Sequence, residues 1–131
     1  MDILGLGVDI CEIARMERAL ARHPTMAERV FTPEEIAYCE SKARPAESYA
    51  GRFATREAVI KALGGYRGKR WQDISVSRHA SGAPSIVLTG NAKARAESLG
   101  IERIHITFTH EKTNAVAFCV TVGDAPRGGG R

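Results

Sequence analysis

A chain of 131 residues suits one domain, and a domain of this size can bury a core without staples. Its composition, 44% hydrophobic and 26% charged, is that of an ordinary soluble globule, and no long uncharged apolar run reads as a membrane span. The net charge of +4, with a sequence pI near 9.2, leans toward an anionic partner (nucleic acid, a phosphate or an acidic protein) without choosing among them.

The first ten residues are apolar but carry Asp2 and Asp9. With no basic leader and no cleavage site, they do not read as a signal peptide. Residues 3–10 predict a short buried strand that ends at an acid. In residues 12–21, Ile13, Met16 and Leu20 recur at helical spacing, and Arg15, Arg18 and Arg22 form a second stripe. Thr32-Pro33-Glu34-Glu35 is a helix start: a capping threonine, a proline in the first turn and a capping-box glutamate. That helix runs to about Ser41. A polar stretch, residues 41–47, leads into the longest helix, with Tyr49, Phe53, Ile60 and Leu63 on its buried face. Gly64-Gly65 closes it in the left-handed conformation.

Residues 73–77 alternate as a strand, with Ile74 and Val76 inward. Ser81-Gly82-Ala83-Pro84 is a turn into a second strand at 85–88. Residues 91–99 form a helix capped by Asn91 and stopped by Gly100. Two strands follow, 103–109 and 115–122, joined as a hairpin through 110–114. Ile104, Ile106 and Phe108 share one face of the first, and Val116, Phe118, Val120 and Val122 one face of the second. The fold class is α+β, an antiparallel sheet packed against a long helix. The domain spans residues 1–122, and the Gly- and Pro-rich tail, 123–131, is expected to be disordered. Cys11, Cys39 and Cys119 are odd in number and lack C-x-x-C spacing, so small buried thiols in a reducing cytoplasm are expected.

Three positions carry candidate chemistry. Asp9 is the one charge in residues 3–11, and is either a cap for the following helix or a functional acid. Glu57 borders the apolar face of the long helix, and either pairs with Lys61 one turn on or serves a site. Two such acids suit a hard divalent ion, typically held by one or two carboxylates plus substrate phosphates. Arg52, Arg56 and Lys61 surround Glu57 and suit a polyphosphate, or else form a solvated basic face. His110 sits where a strand meets a loop and is a candidate base or phosphate ligand, or an exposed turn residue. The Arg15, Arg18 and Arg22 stripe is a docking surface for an acidic partner or a solvated face.

Gly7-Val8-Asp9-Ile10 with Glu12-Ile13 resembles the opening signature of the holo-acyl-carrier-protein synthases. Gly51-Arg52-Phe53-Ala54-Thr55-Arg56-Glu57-Ala58 with Lys61-Ala62-Leu63-Gly64 resembles their second signature. Asp73-Ile74, Gly82-Ala83-Pro84, and Thr107-Phe108-Thr109-His110 with Ala115-Val116-Ala117 resemble the rest, in order and almost to Val122. The resemblance implies a 4'-phosphopantetheinyl transferase-like fold, assembled as a homotrimer with active sites between subunits. It implies magnesium on Asp9 and Glu57, and catalytic roles for Glu57 and His110. Coenzyme A is assigned to Arg52, Arg56, Lys61, Gly64, Gly82, Pro84, Thr109 and His110. An acidic acyl carrier protein is assigned to Arg15, Arg18 and Arg22. The implied reaction moves 4'-phosphopantetheine from coenzyme A to a carrier serine and releases adenosine 3',5'-bisphosphate, a step in fatty acid biosynthesis and lipid metabolism. The serine proton is left to a metal-ordered water, His110 or Glu111. Arg56, Thr109 and Gly64-Gly65-Tyr66 depart from the family's usual lysine, serine and Gly-Thr-Gly. Two rival readings stand beside it: a magnesium-dependent phosphohydrolase of nucleoside diphosphate derivatives, using the same acids, and a basic RNA-binding module, which the net charge permits.

Overall fold

A computed structural model describes residues 1–126. In chain order it contains β1 (Asp2–Glu12), α1 (Ile13–Arg22), α2 (Met26–Val30), α3 (Pro33–Glu40), α4 (Pro45–Ala62), a 3-10 turn (Trp71–Asp73), β2 (Ile74–Arg78), β3 (Pro84–Leu88), α5 (Gly90–Ser98), β4 (Ile101–His110) and β5 (Asn114–Gly123). β1, β5 and β4 form an antiparallel sheet in that order, and β2 and β3 a separate antiparallel pair. α4 lies across the three-stranded sheet, as the α+β reading expects. Among the described residues no helix is long and apolar enough to cross a membrane.

The contact between sheet and helix is made by small residues. β5 turns Ala115, Ala117, Cys119 and Thr121 inward, and α4 meets them with Ala54 and Ala58. On β1, a side chain at Gly5 would collide with the carbonyl of Ala62, and one at Gly7 with that of Ala58. Strand and helix therefore approach at backbone distance, which only glycine permits there. The large residues of both strands point the other way. Leu6, Val8, Ile10 and Phe118 are exposed on the sheet face opposite α4. Val116, Phe118, Val120 and Val122 do share one face, but it is this outer one.

Several boundaries differ from expectation. The polar stretch before the long helix is already helical from Pro45, a proline suited to a first turn. Phe53 and Ile60 are only partly buried, and Phe53 stacks on Trp71 at 5.1 Å. α2 gave no sequence signal, being a single turn and a half. Asn91 does not cap α5: the N-cap is Thr89, and Asn91 donates to the Gly68 carbonyl at 3.0 Å instead. Gly64 and Gly65 do end α4 with φ of 72° and 74°. Order also runs past residue 122: Gly123 closes β5, and the Asp124 amide donates to Gly100 at 3.1 Å. The remainder of the expected disordered tail, 127–131, lies outside the described residues.

The Thr32 capping box is present, and its Glu35 does more than cap. Glu35 is buried, and both of its oxygens accept from the Arg56 guanidinium, Nη1 to Oε2 at 2.9 Å and Nη2 to Oε1. The Thr32 and Val76 amides also donate to it, at 2.9 and 3.0 Å. Arg56 is 0% exposed, sends Nε to the Trp71 carbonyl at 3.0 Å and lies over the Phe31 ring. This one pair ties α3, α4, the 3-10 turn and β2 together. Burial by itself pushes the Glu35 carboxyl up, but the Arg56 hydrogen bonds and charge and the two amides outweigh it and hold it below the usual range.

Removing one partner of a buried pair strands the other charge. Glu35→Gln should therefore lower the unfolding free energy by about 3–5 kcal/mol in urea titrations, and Glu35→Leu with Arg56→Met should recover most of the loss. Because the folded carboxyl is depressed, its contribution is complete above the ordinary glutamate value of about 4.3 and is lost as pH falls through the folded value. The wild-type urea midpoint should thus drop steeply in that acid range, and the double variant's should drop less.

Candidate active site

Gly5, Gly7 and Asp9 alternate on one face of β1, so the close approach that the glycines allow carries Asp9 against α4. There Asp9 Oδ1 accepts from Lys61 Nζ at 2.9 Å, and the same ammonium donates to the Val8 carbonyl at 3.0 Å. Glu12, not Asp9, is the N-cap residue of α1, and makes no side-chain cap. The expected Glu57–Lys61 pair is not what forms, since Lys61 is turned to Asp9. Glu57 lies one turn before Lys61. Burial and then the Asp9 charge push its carboxyl above the usual value, against the pull of Lys61 and Lys69. Two acids thus converge beside Lys61, and a cavity of about 170 Å³ on their flank is lined by Glu57, Ile60, Lys69, Arg70 and Trp71.

These donors fit a magnesium ion. A carboxylate whose proton affinity is raised by a second one beside it favours a cation between the two, and hard oxygen donors are what such an ion takes. Lys69 and Arg70, in the same cavity wall, are of the charge that suits an anion beside it.

Arg52 belongs to a different wall. It is five residues before Glu57, hence about 140° around the helix. It lines a groove of about 370 Å³ with Tyr38, Lys42, Arg44, Arg78, Thr109 and His110 among others. His110 Nε2 lies 4.0 Å from Glu47 Oε1. Arg52 is only 2% exposed, its Nε has no hydrogen-bond partner, and its guanidinium sits 4.3 Å from the Tyr38 ring centroid. A buried cation in a groove wall, with the Tyr38 ring but no carboxylate beside it among the described residues, is what an anion would complete.

The expected basic face of Arg52, Arg56 and Lys61 is therefore divided. Lys61 joins the acids and Arg52 the groove. Arg56 is corrected outright as a ligand contact, since Glu35 and the Trp71 carbonyl engage its guanidinium inside the core. Gly64, Gly82 and Pro84 line neither cavity. Gly82 is tied to the groove through its carbonyl, which accepts from Arg78 Nη1 at 2.8 Å. Arg15, Arg18 and Arg22 are exposed on α1, Arg18 reaching Glu12 at 3.5 Å. Arg15 also borders an apolar cavity with Ile10, Met16, Met26 and Phe53. Sequence reasoning missed Tyr38, Lys42, Arg44 and Arg78, which only the fold gathers. It also missed Lys69 and Arg70, although three cations in Arg67-Gly68-Lys69-Arg70 just after α4 were a visible signal.

The family model of the 4'-phosphopantetheinyl transferase superfamily matches residues 5–121. The chain belongs to this superfamily. It is 48% identical over 128 residues to the holo-[acyl-carrier-protein] synthase of Anaeromyxobacter sp. (strain K), covering 95% of this chain and 99% of that one. The solved holo-[acyl-carrier-protein] synthase of Neisseria meningitidis superimposes with a TM-score of 0.82 at 32% identity, over 92% of this chain and 99% of that one. That of Helicobacter pylori, in complex with coenzyme A, gives 0.77 at 33% identity over 89% and 99%. The fold class and the family named from sequence are thereby borne out, and membership of the superfamily makes the chain an enzyme, a phosphopantetheinyl transferase.

If backbone contact at Gly7 sets the position of Asp9, Gly7→Ala should displace β1. The expected result is a loss of about 1–3 kcal/mol in urea unfolding together with a slower transfer reaction. Unchanged stability and rate would show that the strand tolerates the added methyl.

Proposed function

We propose that this chain transfers 4'-phosphopantetheine from coenzyme A to a serine of an apo-acyl carrier protein, with magnesium, releasing adenosine 3',5'-bisphosphate. The observation that carries the reading is the convergence of Asp9 and Glu57 beside Lys61, Lys69 and Arg70. Magnesium held by the two carboxylates would neutralise charge developing on the departing bisphosphate. Lys61, Lys69 and Arg70 hold the diphosphate in line for attack. The serine oxygen bonds to the phosphorus that bears pantetheine, the phosphorus–oxygen bond to the adenosine bisphosphate breaks, and the serine proton passes to a base. Glu111 is a poor acceptor: hydrogen bonds from the Thr113 hydroxyl and from the Thr113 and Asn114 amides hold its carboxyl below the usual range. His110, exposed at the groove, is the better candidate. Arg15, Arg18 and Arg22 give the acidic carrier a surface to dock on.

The groove and the acid pair face different sides of α4, so one chain offers two half-sites. The exposed apolar sheet face supports the assembly that would join them. Val8 at 51% and Phe118 at 44% exposure lie side by side there, paired across β1 and β5. A continuous apolar face of this kind marks an interface. We read it as the contact of a homotrimer with sites between subunits, acting in fatty acid biosynthesis in the cytoplasm.

The direct test is the intact mass of an apo-acyl carrier protein after incubation with this protein, coenzyme A and magnesium. The carrier should gain one phosphopantetheine, and EDTA or Glu57→Ala should cut the rate about 100-fold or more with the fold retained. No gain across several carriers would sink the reading, and full activity in EDTA would remove the metal from it. Separately, Phe118→Asp should convert a trimer to monomers in sedimentation analysis and abolish transfer. A monomeric wild type would refute the assembly.

A further inference from the structure

Tyr38, on α3, belongs to none of the recognised motifs and has no part in the chemistry above. Three cationic groups nevertheless crowd its ring: Arg52 Cζ at 4.3 Å, Lys42 Nζ at 4.5 Å and Arg78 Cζ at 4.9 Å from the centroid. They come from α4, from the loop after α3 and from β2, so the ring is where three elements bring like charges together. Like charges at this spacing repel, and something must hold them.

Arg52 has the greatest need. One turn further along α4, Arg56 is equally buried but has both oxygens of Glu35. Arg52 has no carboxylate partner among the described residues, and its Nε is unsatisfied. Its one compensating contact is the electron-rich face of Tyr38, an attraction that strengthens when the cation is desolvated. Arg78 donates to the Gly82 carbonyl, lines the groove, and also lies 6.0 Å from the Phe108 ring centroid. The phenol registers the same field. Burial pushes its pKa up, but Arg78, Lys42 and Arg52 more than offset this and bring it below the usual tyrosine value.

We infer that Tyr38 is a positioning residue for substrate: its ring face holds Arg52, Lys42 and Arg78 convergent on the groove, where they take an anionic group of coenzyme A. The inference rests on the transferase reading. Tyr38 touches no reacting atom and acts through the cations. The ring face carries most of the effect: all three cations lie over it, and Lys42 alone also bonds the hydroxyl.

The test is calorimetric titration of coenzyme A into the full chain and its variants, with steady-state transfer kinetics alongside. Tyr38→Leu should weaken coenzyme A binding and raise its KM about tenfold to thirtyfold, while kcat and the KM for the carrier protein hold. Tyr38→Phe should stay near wild type. In the Arg52→Ala background, Tyr38→Leu should cost less than it does alone, the remainder being its hold on Lys42 and Arg78. Should the leucine variant fail to fold, Tyr38→Met carries the same comparison. Wild-type affinity in the leucine or methionine variant, additivity with Arg52→Ala, or a phenylalanine variant as impaired as the leucine one would each overturn the proposal. A wild-type chain that binds no coenzyme A would remove the transferase reading, and this proposal with it, before any variant is compared.

Discussion

The contact between β1 and α4 at backbone distance governs the rest of the molecule. Gly5 and Gly7 lie against the carbonyls of Ala62 and Ala58, and β5 completes the inner surface with alanine, cysteine and threonine. A thin, closely packed layer of this kind makes two demands at once. The next inward residue on β1, Asp9, must stand against α4 beside Lys61 and Glu57. The bulky residues of the same strands must go outward, since the inner side has no volume for them. A converging acid pair and an apolar outer face thus arise from one packing decision.

A second constraint fixes α4 on its other side. Glu35 accepts from Arg56 on α4, from the Val76 amide on β2 and from Thr32 at its own cap, and Arg56 donates to Glu35 and to the Trp71 carbonyl. Burying such a pair adds little net stability compared with an apolar pair, but it tolerates only one geometry. That geometry sets the rotation of α4 about its axis. With Arg56 directed to α3, Glu57 falls at the edge of the buried surface next to Asp9, and Arg52 falls under Tyr38. The 3-10 turn, held by its Trp71 carbonyl, brings Lys69 and Arg70 to the flank of Glu57.

The elements with local signals were legible in the sequence. The Thr32-Pro33 start, the paired glycines after α4 and the final hairpin depend on residues close together in the chain. The direction of each face was less so. Val116, Phe118, Val120 and Val122 alternate correctly, and periodicity alone cannot say which side of a sheet a partner helix occupies. The inward side was the one with small residues, because closeness rather than bulk filled the space. Arg56 misled for a related reason. A basic residue beside a functional acid reads as a ligand contact, and its partner, Glu35, is 21 positions away with a complete local role of its own as a capping residue. Tyr38, Lys42 and Arg78 were illegible because three elements meet there, and none carries a signal for the others.

α4 bears two kinds of chemistry on sides about 140° apart. A ligand that uses both must be gripped by surfaces that one copy of the chain turns away from each other. The outer face of the sheet, unsuited to water, is an apolar surface on which a second copy can seat. In the proposed assembly the packing that sends Leu6, Val8 and Phe118 outward therefore also closes the site: burial of those residues draws one subunit's groove toward another's acid pair. Affinity for substrate and affinity between subunits are then linked, each favouring the same arrangement. The glycines of β1 lie at the root of both.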